Sequence, residues 1–409
     1  MVAFAVTCRY AAAIAVCGIL VGCGGSTPAP SPPAKSIGAT RPSTTPDSEF
    51  AETTESPQPV DESKTDPDAR ALSASCGESD RALLAVARHL LEQPADATAE
   101  LDVDAISYAL RAAGAPYLWP RAWLFNGSEG KIEPARARMQ HWLASFANGG
   151  VRRCGVAVLH APAEHLRVSI VTVDVLADLE PLPTRVRVGQ WLEVRATLRV
   201  EASDAKLVVM GPRGTPHPVP TSLRNGQVLA RFNADQPGTW LIQLLGAVDE
   251  GPRTLLEAVL FAGTEPSRAP TPSQAPGEEL VPADSEPRAA LYALVNAARA
   301  TERLTVLERD EHLEAVAQAH AEAMRRVRKT AHDVGQGDLN QRLEQFGLEM
   351  TAGENIAHAG SATLAQRALW ASPSHRGNLL LPGFGLVGIG VAPDPDGTLW
   401  VCQVFGNSH

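Results

Sequence analysis

Apolar residues recur at helical spacing in several stretches of the chain. Leu83, Leu84, Val86, Ala87, Leu90 and Leu91 lie three or four apart, the period of one buried helix face. Residues 105–113 and 135–146 read as helices too. Residues 156–159 and 166–175 read as two strands around a polar turn. The pattern then changes. Val186, Trp191, Val194, Ala196 and Leu198 alternate with polar positions, and strand-like runs follow at 207–210, 228–232, 240–245 and 255–261. Gly211-Pro212-Arg213-Gly214, Asn225-Gly226 and Pro237-Gly238 separate them. Short strands at this spacing predict an all-β sandwich, immunoglobulin-like in architecture. Helical spacing returns with Leu291, Leu294, Val295 and Ala298, and again with Leu313, Val316, Ala317, His320, Met324 and Val327. Residues 385–392 and 398–405 close the chain as a hairpin around a Pro-Asp-Pro-Asp-Gly turn.

The fold class predicted is therefore multidomain α+β. A signal segment at 1–22 is followed by a Pro/Ser/Thr/acidic tether at 23–73, too poor in large apolar residues to fold. A small α+β unit at 74–182 and the β-sandwich at 183–263 come next. A Pro-rich linker at 264–284 frees the last domain, 285–409. The first unit also ends on a Trp-bearing helix (Trp142-Leu143-Ala144-Ser145) and a strand pair, the plan of the last domain with Trp370-Ala371-Ser372.

Composition narrows the function. The 409 residues carry 36 Lys+Arg against 46 Asp+Glu, a net charge of −10, which argues against a general nucleic-acid binder. Arg9 is the only charge before the apolar run 11–21, too short to span a bilayer but suited to a signal peptide. The run ends in Leu20-Val21-Gly22-Cys23, which resembles the bacterial lipobox. That resemblance implies cleavage before Cys23, lipid attachment to it, and a membrane-anchored protein of the cell envelope. Gly24 in place of Asp points to the outer membrane if the cell is Gram-negative. Of the remaining cysteines, Cys76 and Cys154 could pair in an exported compartment. Cys402, in an apolar strand, reads as a buried free thiol.

The C-terminal domain carries the candidate chemistry. Leu294-Val295-Asn296-Ala297-Ala298-Arg299, Ala317-Gln318-Ala319-His320-Ala321, His332, Gly353-Glu354-Asn355-Ile356, Trp370-Ala371-Ser372-Pro373-Ser374-His375-Arg376 and Gln403-Val404-Phe405-Gly406 occur in that order. Together they resemble the CAP superfamily (SCP/PR-1-like) in its bacterial form. The resemblance implies an α-β-α sandwich with a central cleft, and places His332, Glu354 and His375 on the cleft positions. Two imidazoles and a carboxylate suit Zn²⁺ or another divalent cation. The same trio could be acid and base around a water. The alternative is a metal-dependent hydrolase acting on envelope material, with Glu354 and His375 as catalytic residues: His332 and His375 would hold the ion and Glu354 would ligate it or activate water. It could equally be a hydrogen-bonded cluster that organises the cleft.

Two family positions depart from the eukaryotic pattern. Trp400 stands where many relatives have a second histidine, and Pro373 where they have a second glutamate. This weakens transfer of any eukaryotic activity and favours binding of an envelope ligand (lipid, wall fragment or protein) over catalysis. His320, on an apolar helix face, reads as a core histidine. Arg325, Arg326, Arg328 and Lys329 read as a solvated face at a helix end. Asp394 and Asp396 read as turn residues.

Overall fold

The computed structural model describes residues 6–9, 50–92, 103–127, 131–146, 149–161, 165–267, 274–282 and 284–407. Cys23 and most of the signal segment lie outside them. Val6–Arg9 is described as a strand running parallel to residues 355–358 at the edge of the last sheet. Among the described residues no helix is long and apolar enough to cross a membrane.

Folded structure begins earlier than the expected end of the tether. Phe50 is buried against Tyr108 and Phe261, with ring centroids 5.7 and 5.0 Å away. Thr53–Thr54 pairs with Leu182–Pro183. Pro67–Ser73 is a helix whose N-cap, Asp66, accepts from the amides of Asp68 and Ala69. The composition of 23–73 averages over these few anchors. Phe50, Ala69 and Leu72 suffice to dock 50–73 on the first unit, which supplies the apolar surface that the segment lacks by itself.

The first unit is a four-stranded sheet with helices on both faces. Glu78–Ser79 lies parallel to Val151–Ala161, which forms a hairpin with His165–Val175, and Arg121–Gly127 completes the sheet. Helices Arg81–Glu92 and Val103–Ala112 cover one face, and Glu133–Ala144 the other. Cys76 and Cys154 form a disulfide, with Cα atoms 6.1 Å apart.

The middle domain is a β-sandwich of two sheets. The strands alternate as the sequence pattern requires, and their inward residues, Val194, Phe232, Trp240, Leu244 and Leu260 among them, build one core. The sandwich opens at Ala177–Leu179, before the expected boundary, because that strand pairs with Gln190–Leu198. A buried Arg153 from the first unit forks onto Asp178, which also takes Arg199.

In the C-terminal domain, Glu308–Arg309 lies parallel to Leu386–Pro393, which forms a hairpin with Leu399–Gly406, and Ala352–Ala359 pairs with the latter inside the Val6–Arg9 edge. Helix Glu311–Val327 covers one face through Leu313, Val316, Ala317 and Met324. Helices Pro287–Thr301 and Ala362–Ala371 cover the other through Leu291, Val295, Ala365 and Leu369. The result is an α-β-α sandwich. Gly388 and Gly390 let the long helix touch the sheet. A Cβ at Gly388 would lie 2.1 Å from the Leu313 carbonyl carbon.

The strand order and register of the first unit match this domain. Gly155 faces Val171 across its hairpin as Gly388 faces Val404. A Cβ on Gly155 would lie 2.0 Å from the backbone of Leu83, the counterpart of Leu313. Asp80 caps the first helix through the amides of Ala82 and Leu83, as Asp310 caps the second through that of Leu313.

The segment 264–284 does not free the last domain. Ala275 is buried in the C-terminal core, and Glu278 forms a two-pronged ion pair with Arg367. The sandwich also docks directly on helix Pro373–Leu379. Proline content predicted a linker, but prolines are compatible with a strap laid along a surface. Nor is the basic run wholly solvated: Arg328 pairs with Asp394, and Lys329 with Glu250 of the sandwich.

The disulfide spans 78 residues. Loop-closure entropy alone gives it about 4 kcal/mol of stabilisation. A Cys76→Ser/Cys154→Ser variant is expected to show a correspondingly lower urea midpoint, measured by chemical denaturation.

Candidate functional site

Glu354 lies on the strand Ala352–Ala359, on the face toward the long helix, and has no solvent exposure. Four side chains from four places in the chain close around it. His332 donates from Nδ1 to Glu354 Oε2 at 2.7 Å. Arg342 donates from Nη2 to the same oxygen at 2.9 Å, and its Nη1 lies 2.9 Å from Oε1. Cys402 on the neighbouring strand donates from Sγ to Oε1 at 3.3 Å. His320 on the long helix brings Nε2 to 3.9 Å from Oε2.

Local sequence explains how each arrives. Asp333 accepts three successive amides, those of Gly335, Gln336 and Gly337, and so folds the loop that follows His332. Gly335 and Gly337 both have positive φ, which glycine adopts without strain. Asp338 and Gln341 then form a capping box that starts helix Leu339–Gln345. Arg342 lies on that helix's buried face between Leu339 and Leu343. Its Nη2 also donates to the His332 carbonyl, so it ties the loop to the strand.

The electrostatics follow from burial and pairing. Burial pushes the Glu354 carboxyl up, but Arg342, His320 and His332 together overcome it and hold the group well below the usual carboxylate range. Burial pushes the Cys402 thiol well up, and Glu354 adds to this. Burial lowers His320, against the pull of Glu354. His375 is held neutral by burial and then by nearby His332, well below the ordinary histidine value.

His375 comes from helix Pro373–Leu379, at the end of the sheet. Its carbonyl accepts from Asn355, and Asn378 of the same helix donates to the Glu354 carbonyl. The helix is thus pinned to the strand that carries Glu354. Neighbouring Arg376 stacks on Trp370, 3.9 Å from the ring centroid, and burial lowers its guanidinium to about 10.

The structure gathers the three expected residues into one region, but not as a metal set. Among the described residues, the only three His/Cys/Asp/Glu ligand atoms within 4.8 Å of one another belong to Asp66, Asp68 and His160. That exposed cluster lies on the first unit and could hold a cation. At the C-terminal site both Glu354 oxygens are engaged, and Arg342 already supplies the positive charge beside them. A divalent ion held by His332, Glu354 and His375 does not fit this arrangement. The guanidinium was missed in the sequence, although an arginine flanked by Leu339 and Leu343 on an amphipathic helix is a visible signal. His320 is the buried, hydrogen-bonded residue expected, bonded to the Ala331 carbonyl and to Gln336. Trp400, in the second-histidine position, donates to Asp394 and stacks on His358. Cys402 is free and buried.

The outer nitrogen of His332 is among the buried side-chain atoms that the cluster does not satisfy. His332 Nε2 has no hydrogen-bond partner among the described residues. With Nδ1 turned to Glu354, Nε2 is the ring nitrogen left for a further partner.

The profile of the cysteine-rich secretory protein (CAP) family matches residues 292–404. The C-terminal domain is a CAP domain. The match takes in the whole buried cluster from His320 to Cys402. No curated protein matches the chain. Among solved structures, an outer surface protein from Borrelia burgdorferi is 21% identical, over 34% of this chain and 100% of its own, with a TM-score of 0.29. An extracellular SCP-domain protein from Bacillus anthracis is 16% identical, over 57% and 86%, with a TM-score of 0.28. A cysteine-rich secretory protein from Staphylococcus aureus is 13% identical, over 57% and 84%, with a TM-score of 0.27.

Two predictions follow from the buried carboxylate of the CAP domain. Arg342→Ala leaves Glu354 buried and undercompensated, and is expected to cost about 3–5 kcal/mol in chemical denaturation. Replacing both partners, as Arg342→Met/Glu354→Leu, is expected to cost less. The second concerns pH. The folded protein excludes protons from His375 and His320 that the unfolded chain binds, so stability falls as pH drops below about 6.5. Glu354 acts in the same direction at lower pH, since its contribution is lost as pH falls through its depressed pKa. Denaturation at pH 7 and pH 5 is expected to show a slope of up to about 1.4 kcal/mol per pH unit for each excluded proton, flattened in His375→Gln.

Proposed function

We propose that this chain is an exported lipoprotein, anchored through Cys23, that presents a CAP domain as a non-enzymatic binding module at the cell envelope. The ligand is an envelope component (lipid, wall fragment or protein) that offers a hydrogen-bonding group to His332 Nε2. The observation that carries this reading is the pairing of Glu354 with Arg342. A buried carboxylate held ionised by a guanidinium is a poor base for water and a poor ligand for a cation, so the groups that hydrolysis requires are already committed. His332 Nε2 remains as a polar contact for a ligand. The outer membrane is the anchoring surface if the cell is Gram-negative.

In the same reading the first unit is a degenerate CAP-like copy. Its support is the shared strand order and register. In that register Ala122 stands in the place of Glu354, and Leu90 in the place of His320. The copy keeps the fold without the ion cluster, which leaves recognition to the C-terminal domain.

The test is capture of envelope material by the full chain. Sedimentation with lipid vesicles and with purified wall is expected to show binding that EDTA leaves unchanged and that His332→Ala weakens about tenfold. Turnover of either material, lost in His375→Ala, would replace this reading with the hydrolase.

A further inference from the structure

His332 and His375 are only 2% and 1% exposed, so a ligand cannot reach them in the folded arrangement. Much of what covers them belongs to the sandwich rather than to the CAP domain. The tight turn between strands Gly238–Val248 and Gly251–Ala262 presses on His332. Gly251 has φ +95°, and a Cβ there would lie 2.7 Å from the His332 Cβ. Only a residue without a side chain lets the sandwich backbone close on this imidazole. The same turn is latched on both sides, since the Asp333 amide donates to the Glu250 carbonyl at 3.1 Å and Lys329 pairs with the Glu250 carboxylate.

The second contact reaches the helix that carries His375. Its N-cap, Ser372, makes no side-chain capping bond. Gln243 of the sandwich supplies one instead. Its Oε1 accepts from the Ser374 amide at 3.1 Å and from the Ser374 hydroxyl, and its Nε2 donates to Ser372 Oγ at 3.2 Å. Gln243 is 1% exposed, so these bonds form away from water. Beside the packing of this helix on the sandwich sheet, the contact is held by these hydrogen bonds and one ion pair at the turn, a polar interdomain surface on which relative motion is expected.

We propose that the β-sandwich is the lid of the CAP site, and that ligand entry requires the Glu250–Gly251 turn and Gln243 to lift from His332 and from helix Pro373–Leu379. The proposal rests on the reading of this site as the place of binding. The lid is held by Lys329–Glu250 and by the borrowed cap. Agents that break either contact open the site.

The test is a histidine footprint of the full chain with diethyl pyrocarbonate, resolved residue by residue by mass spectrometry. His312 and His165, both exposed, serve as internal standards. In the unaltered chain His332 and His375 are expected to react far more slowly than His312. Gln243→Ala and Glu250→Lys are each expected to raise the His375 rate about tenfold, as loss of a buried or charge-assisted hydrogen bond allows. The charge swap Glu250→Lys/Lys329→Glu is expected to restore protection, which a merely damaged fold would not do. A His375 rate equal to that of His312 in the unaltered chain overturns the proposal. So does a His375 rate unchanged in both single variants. The footprint uses no ligand. Variants that open as expected but capture no envelope material would remove the binding reading and leave the lid.

Discussion

A carboxylate without solvent contact has to be neutralised from within the fold. Glu354 sets that requirement at the centre of the CAP domain. The long helix brings His320, the loop after it brings His332, the short helix brings Arg342 and the last strand brings Cys402. None of these elements packs far from its place without leaving a buried charge, and desolvation makes such a charge costly. The apolar cores on the two faces of the sheet supply most of the burial. The ion cluster fixes how the loops between elements are laid. The carboxylate's charge is balanced by Arg342 from within the fold.

Much of this was legible in the sequence, and the rest was not for identifiable reasons. The helices at 287–301 and 311–327 and the terminal hairpin follow from periodicity, because each buries a full face against one sheet. His332, Glu354 and His375 were located by short motifs that nearby backbone holds in place. Arg342 escaped because a charged residue on a helix is read as solvent-facing unless its apolar neighbours are counted against it. Gln243 was beyond reach, since its partners Ser372 and Ser374 lie about 130 residues away and nothing local marks a glutamine as a cap for another domain's helix. The span 50–73 was misjudged because a mean composition does not register that Phe50 and Leu72 find surfaces made by distant segments.

The two sheets of like register show what the fold needs and what it can do without. The first unit holds Ala122 and Leu90 where the CAP domain holds Glu354 and His320, and closes around apolar contacts and a disulfide. The CAP domain has no bridge among its described residues and relies on ionic closure. The buried charges are therefore not a demand of the topology.

Gln243 touches more than the CAP domain. Its Nε2 also donates to Glu257, and Glu257 pairs with Arg111 of the first unit at 3.0 Å. A continuous line of side chains thus runs from the first helical layer through the sandwich to the helix of His375. Three units that look separable along the chain are joined by this line as well as by the contacts at Asp178 and Glu250. Heat or denaturant that loosens any one of them withdraws a polar partner from the next. The molecule is then expected to melt as a coupled body rather than as beads on a string, and a disturbance at the first unit can be felt at a histidine two domains away.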